Sequence, residues 1–144
     1  MGGLDIAVDI ELVEDLGFLE RVAGTAMLHL QVDDRELSVL LTNDAGIHPL
    51  NRDWRGKDRP TDVLSFSQMD SVDVPGAPRL LGDVVISVET ARRQAEERGH
   101  ELARELTVLL VHGIVHLAGY DHEEDDEAEV MEAIEREILA QLAD

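Results

Sequence analysis

The sequence predicts an α+β fold, a small mixed β-sheet of about four strands packed with about five helices, in a single domain covering residues 1–144. Three observations carry this expectation. A length of 144 residues suits one ordinary domain, and 44% hydrophobic content suffices for one buried core. Short β-type runs and longer stretches with helical apolar spacing follow one another in irregular alternation. No repeat, low-complexity segment or linker separates them.

Residues 6–10, IAVDI, alternate weakly as a short strand does. VEDLGFLERVAGTAMLHL, from Val13, then spaces its apolar residues at three and four, as a core-facing helix requires. After the acidic turn at Asp33-Asp34, ELSVLLT reads as a second strand. Asn43 or Asp44 offers an N-cap for a short helix stopping near Asn51, and a basic loop follows. TDVLSF, bounded by Pro60, and LGDVVISV read as a third and a fourth strand, with the turn residues of VDVPGAP between them. Ser87 can cap the next helix, ETARRQAEER, which Gly99 stops. A strongly apolar helix then begins near Glu101 and crosses the domain until Gly119 ends it, and an amphipathic helix from about Glu123 to Leu142 closes the fold. Strand order is not readable at this level.

Composition removes several classes of function. Without cysteine there is no disulfide, thiolate nucleophile, Cys-based zinc finger or iron–sulfur site, so any metal must be held by His, Asp or Glu. No apolar run approaches the roughly 20 residues of a membrane span, and MGGLDIAVDIE lacks the basic start and apolar core of a signal peptide. The expected location is therefore the cytoplasm, with no membrane partner. A net charge of −20 argues at first sight against nucleic acid, yet RDWRGKDR, Arg52 to Arg59, carries four basic and two acidic side chains. From Asp121 to Glu137 ten carboxylates accompany one arginine, a pattern best read as a solvated helix face.

The densest chemistry lies in HGIVHLAGYDH, Gly-hinged between His116 and His122. His112 and His116 stand four apart on the expected helix, so both imidazoles project from one face. Gly119 lets the chain reverse, and the turn after it can return His122 to the same point. Three imidazoles around one Zn²⁺ leave a fourth position open, the arrangement of catalytic rather than structural zinc. His29, His48 and His100 lack such spacing and are expected in ordinary surface or capping roles. The spacing H-x-x-x-H-x-x-G-x-x-H is zincin-like, that of the metzincin peptidases, whose second position is a general-base glutamate. Here that position is Gly113, so peptide hydrolysis is disfavoured, whereas metal-assisted hydrolysis by another proton route stays feasible.

A hydrolase without that base needs another group aimed at developing charge, and guanidinium donors match phosphate oxygens in pairs. Arg52, Arg55, Lys57 and Arg59 are the candidates. They could equally pair with Asp53, Asp58 and Asp62 and only solubilise a loop; charge alone leaves the two readings balanced. Trp54, the only tryptophan, could stack on a base, but packing against the domain is the expectation.

With these residues in view, the chain resembles the YbeY family of bacterial rRNA-maturation metallo-endoribonucleases over nearly its full length. VHGIVHLAGYDHEEDDEAEVMEAIEREIL is similar to the family signature H-G-x-x-H-L-x-G-Y-D-H with its acidic helical tail, and WRGKDRPTDVLSF and LGDVVIS resemble two further family blocks in the right order. The resemblance implies one zinc ion held by His112, His116 and His122, and a catalytic role for Arg55, whose counterpart in the W/Y-R-G-K-D block is implicated in activity. It also implies single-stranded RNA as substrate, maturation of the 3′ end of small-subunit (16S) rRNA and ribosome quality control as setting, and ribosomal particles with a ribosomal or assembly protein as partners. One departure is visible, since Ser67 stands where the family commonly has proline, which leaves the following loop open in shape.

Two other functions compete with this one. A metal-dependent peptidase or other hydrolase would need an unusual base, such as Asp121 or a carboxylate from Glu123 to Glu127, although those residues suit a helix start that complements the macrodipole. A non-enzymatic assembly factor would use zinc only to pin the turn between two helices.

Overall fold

Two parallel strands with a helix between them begin the fold. The computed structural model describes residues 3–12, 14–69, 75–77, 79–120 and 124–143. Strand β1 (Leu4–Val8) pairs in parallel with β2 (Glu36–Thr42), and α1 (Phe18–His29) connects them. Helix α2 (Asp44–Arg55) leads to β3 (Val63–Ser67), which is antiparallel to β4 (Leu80–Ser87). Because β4 also pairs in parallel with β2, the sheet is mixed, with the order β1-β2-β4-β3. Helices α3 (Val88–Arg98), α4 (Leu102–Leu117) and α5 (Asp125–Leu142) complete it. Among the described residues the expected α+β architecture of four strands and five helices is thus the observed one.

The near-continuous apolar character of β2 and β4 follows from their central position, where both sheet faces are covered. Leu37, Val39 and Leu41 of β2 and Val84 and Ile86 of β4 enter the main core with α1 and α4. Between them, Leu40 and Val85 point to the opposite face, where Ile47 of α2 and Leu64 of β3 form a second, smaller core. A register shift sets Leu80 opposite Glu36 but Gly82 opposite Leu37. The extra residue, Leu81, is thereby freed to join the main core beside Val84.

Helix α4 is buried along most of its length, through Leu106, Leu110, Val111, Ile114, Val115 and Leu117, as its apolar sequence requires. Its one buried charge, Glu105, is doubly satisfied: Arg98 Nη1 donates to Oε2 at 2.6 Å and the His100 ring lies 2.6 Å from Oε1. Capping matches the sequence reading at three ends. The Asn43 side chain accepts from Gly46 N–H and Ser87 Oγ from Thr90 N–H, while Gly99 ends α3 in the left-handed region.

Several boundaries differ from expectation. β1 is Leu4–Val8 rather than residues 6–10, an edge strand on which only Ile6 is half-buried, so its alternation carried little register information. α1 starts at Phe18 rather than Val13, because the Asp15 carboxylate accepts from Gly17 N–H at 2.9 Å and holds a turn there. α5 starts at Asp125 rather than Glu123. The correction with functional weight is α2, which continues past Asn51 to Arg55 in spite of Pro49 and ends at Gly56. Asn51 is not a stop; it is buried, and its Nδ2 donates to the Arg59 carbonyl at 2.8 Å. The doubt left by Ser67 is partly answered: its hydroxyl donates to the Leu117 carbonyl at 3.3 Å, tying the end of β3 to the end of α4. Residues 70–74 of the loop beyond it lie outside the described residues.

Candidate functional site

The His112–His116 pair occupies one face of α4, as the four-residue spacing requires, and both rings are half-buried. Between them Gly113 lies against the sheet, where a Cβ would stand 2.9 Å from Val84 Cγ1 and 3.1 Å from Cγ2. At the position that carries the glutamate base in metzincins a side chain would therefore have to displace Val84, so packing as well as residue type disfavours a base there. Helix α4 then ends in a Schellman motif: Tyr120 N–H donates to the Val115 carbonyl and Gly119 N–H to that of His116, with Gly119 at φ +107°. The helix end expected at Gly119 is thus built, while Asp121 of the expected turn and His122, the third nitrogen of the expected trio, lie outside the described residues. Among the described residues no three His, Cys, Asp or Glu side chains gather closely enough to hold a metal.

The donor set present is nevertheless suited to one. His112 Nδ1 lies 2.8 Å from Glu135 Oε1 of α5. An ionised carboxylate can only accept, so Nδ1 carries the proton, and in the neutral ring the metal-ligating lone pair is then that of Nε2. This hydrogen bond from the ring to Glu135 lifts the His112 pKa above its ordinary value; burial opposes it, and the charges of Glu135 and Asp62 add to it. A carboxylate behind a ligating imidazole orients the ring and strengthens its basicity, the usual support of a histidine metal ligand. Sequence reasoning missed Glu135, which is only 19% exposed, because it treated the whole acidic run as a solvated face.

The basic segment separates into two roles. Arg52 pairs with Asp53 at 2.9 Å on the surface, the bland alternative. Asp58 turns to the His48 ring at 2.7 Å, and Asp62 accepts from Val63 N–H and Gln94 Nε2. Among the described residues Arg55, Lys57 and Arg59 make no ion pair, and they line the same cleft as His112 and His116, a space of about 330 Å³. Helix α2 delivers Arg55 at its last residue, and the chain beyond is folded back by Gly56 N–H to the Arg52 carbonyl and Lys57 N–H to that of Asn51. Asp62, which the sequence offered only as a salt-bridge partner for the basic loop, lines this cleft as well. The arrangement sets three cationic side chains beside two imidazoles, a lining with the charge and donors that suit an anionic, phosphate-like group.

Residues 9–143 match the family model described as Endoribonuclease YbeY. The chain belongs to the endoribonuclease YbeY family. With that it enters a family of nuclease hydrolases. Proteins named Endoribonuclease YbeY from Rhodopseudomonas palustris (strain BisB18) and Paramagnetospirillum magneticum are 52% and 50% identical to it. The first alignment covers 83% of this chain and 73% of the relative, the second 85% and 77%. The solution structure of TM1509 from Thermotoga maritima matches with a TM-score of 0.61 at 28% identity, covering 97% of this chain and 91% of that one.

The remaining candidates take the bland roles expected of them. His29 meets Glu137 at 3.0 Å and Gln141 at 2.7 Å, and His48 and His100 meet Asp58 and Glu105, so in this YbeY-family chain all three bind polar partners away from the His112–His116 pair. Asp125, Asp126 and Glu127 sit exposed in the first turn of α5, complementing its macrodipole. Asp121 and Glu123 lie outside the described residues. Among the described residues no helix is long and apolar enough to cross a membrane.

Proposed function

We propose that this chain is a zinc-dependent, single-strand-specific endoribonuclease acting in the cytoplasm in maturation of the 3′ end of small-subunit (16S) rRNA and in ribosome quality control. The observation that carries the reading is the composition of the cleft: three cations unpaired among the described residues, Arg55, Lys57 and Arg59, with the two half-buried imidazoles His112 and His116. The family supports RNA as the substrate class; the 16S terminus and the quality-control setting rest on the resemblance alone.

His112, His116 and His122 are the residues that would hold the zinc. When bound, zinc supplies a Lewis acid and a water acidified to a pKa of about 7. Glu135 keeps the His112 ring in the tautomer a ligand needs. Arg55 presents its planar donors to phosphate oxygens and offsets the negative charge that builds there as the backbone bond is cleaved. Lys57 and Arg59 hold the adjoining backbone in place by charge. In a chain of net charge −20 this local positive cleft must guide the RNA, and docking on a ribosomal or assembly protein would supply the affinity that bulk charge denies.

The test compares Arg55→Glu and His116→Ala, scoring single-stranded RNA cleavage and bound zinc together. Arg55→Glu should lose cleavage by at least about a hundredfold with zinc content unchanged. His116→Ala should lose both. Loss of zinc from the Arg55 variant would overturn the phosphate role assigned to it.

A further inference from the structure

Trp54 is 71% exposed, contrary to the packing expected of it. It stands one residue before Arg55 in the last turn of α2 and touches the domain through an edge contact with Phe66, ring centroids 6.1 Å apart and planes at 70°. A contact of that geometry covers at most one indole face. Trp54 and Phe66, with Leu50 and Val85, form a shallow apolar hollow of about 340 Å³ rimmed by Gln68 and Asp83.

This hollow adjoins the basic cleft through the same two elements. On α2, Asn51 and Arg55 line the cleft, while Leu50 and Trp54, one residue earlier in each case, line the hollow. On β3, Leu64 and Ser65 face the cleft and Phe66 the hollow. An exposed indole beside the three cations of the cleft complements a ligand that is anionic and flat at once. Of the macromolecules that combine these properties, only an unpaired nucleic acid strand presents base faces free to stack, next to a phosphate at every step.

We propose that Trp54 is a stacking platform for a nucleobase of the RNA strand whose phosphate Arg55 holds, a positioning role that rests on the endoribonuclease reading above. The indole sets which nucleotide lies over the cleft, so it aligns the strand for cleavage without touching the reacting atoms. Stacking tolerates any base, which fits single-strand preference rather than a sequence code.

Because Trp54 is the chain's only tryptophan, its emission reports on this hollow alone. Zinc-loaded protein is titrated with a fluorescently labelled 2′-O-methyl oligoribonucleotide, which resists cleavage, and with an abasic oligomer of equal length and charge. Anisotropy reads binding, and unlabelled oligomers are used for tryptophan emission. The base-bearing strand should quench Trp54 and bind about tenfold more tightly than the abasic one. Trp54→Ala should erase that tenfold difference while zinc content and abasic binding stay constant, and Trp54→Phe should restore most of it. Base-bearing RNA that binds without changing Trp54 emission, or that binds Trp54→Ala as tightly as the parent, overturns the platform but spares the nuclease reading. Failure of both oligomers to bind overturns the two together.

Discussion

Glu135 governs what His112 is able to do. Its carboxylate fixes one ring nitrogen as a donor and leaves the other for a ligand, and such supporting carboxylates matter to metal affinity by about 10–100-fold. Glu135→Ala should accordingly weaken zinc binding by about that factor in competition with a chromophoric chelator, with helix content unchanged. Equal affinities in the two proteins would mean that Glu135 does not support a metal ligand. Residue chemistry was legible where it depended on local spacing, as for the His112–His116 pair. It was not legible for Glu135, which reaches His112 only through the packing of α5 on α4, nor for the division of labour among Arg52, Arg55, Lys57 and Arg59. All four cations look alike in sequence, and only their neighbours distinguish the surface pair Arg52–Asp53 from the three that line the cleft.

Among the elements, the junction of α2 and α3 is held by one carboxylate. Asp44 follows the N-cap of α2, yet it accepts from Ser87 Oγ and Thr90 Oγ1, both at 2.6 Å, and from Arg93 Nη2 at 2.9 Å, all around the start of α3. The exchange is reciprocal, because Asp44 N–H donates to Glu89 Oε1 at 2.9 Å. Burial alone would raise the Asp44 pKa, but the hydrogen bonds from Ser87, Thr90 and Arg93 outweigh it, and the net effect is a pKa below the ordinary 3.8. A depressed carboxylate stabilises the fold above the unfolded value and loses that contribution as pH falls through the folded one. Asp44→Asn should therefore cost on the order of 1 kcal/mol in urea unfolding of the zinc-free protein near neutrality, the partial exposure limiting the effect. The cost should fade as the pH drops below about 4. A gap that persists at low pH would mean that the charge of Asp44 is not what matters. Local caps such as Asn43, Ser87 and Gly99 were readable because capping is a short-range matter. The length of α2 was not, since a polar residue at position 51 looks like an exit until the Arg59 carbonyl is seen to occupy its amide.

For the molecule as a whole, charge is distributed rather than summed. A chain of net charge −20 gathers in one cleft three cations that are unpaired among the described residues, so attraction for RNA is local and easily screened. If all three meet phosphates, the logarithm of the binding constant for single-stranded RNA should fall against the logarithm of salt with a slope of about −2. Lys57→Ala should make that slope shallower by about 0.7. A slope near zero would place the RNA somewhere other than the cleft.

Sequence by itself determined the fold class, the sites of most caps and the pairing of His112 with His116 on one helix face, because each depends on hydrophobic period, backbone sterics or spacing along one helix. Tertiary structure alone decided the strand order, the carboxylate behind His112, the crowding of position 113 by Val84 and the meeting of α2 with α4 across one cleft. The physical reason is distance along the chain. Contacts between residues tens of positions apart depend on how whole elements pack, and neither helix nor strand periodicity records which neighbour each face will meet.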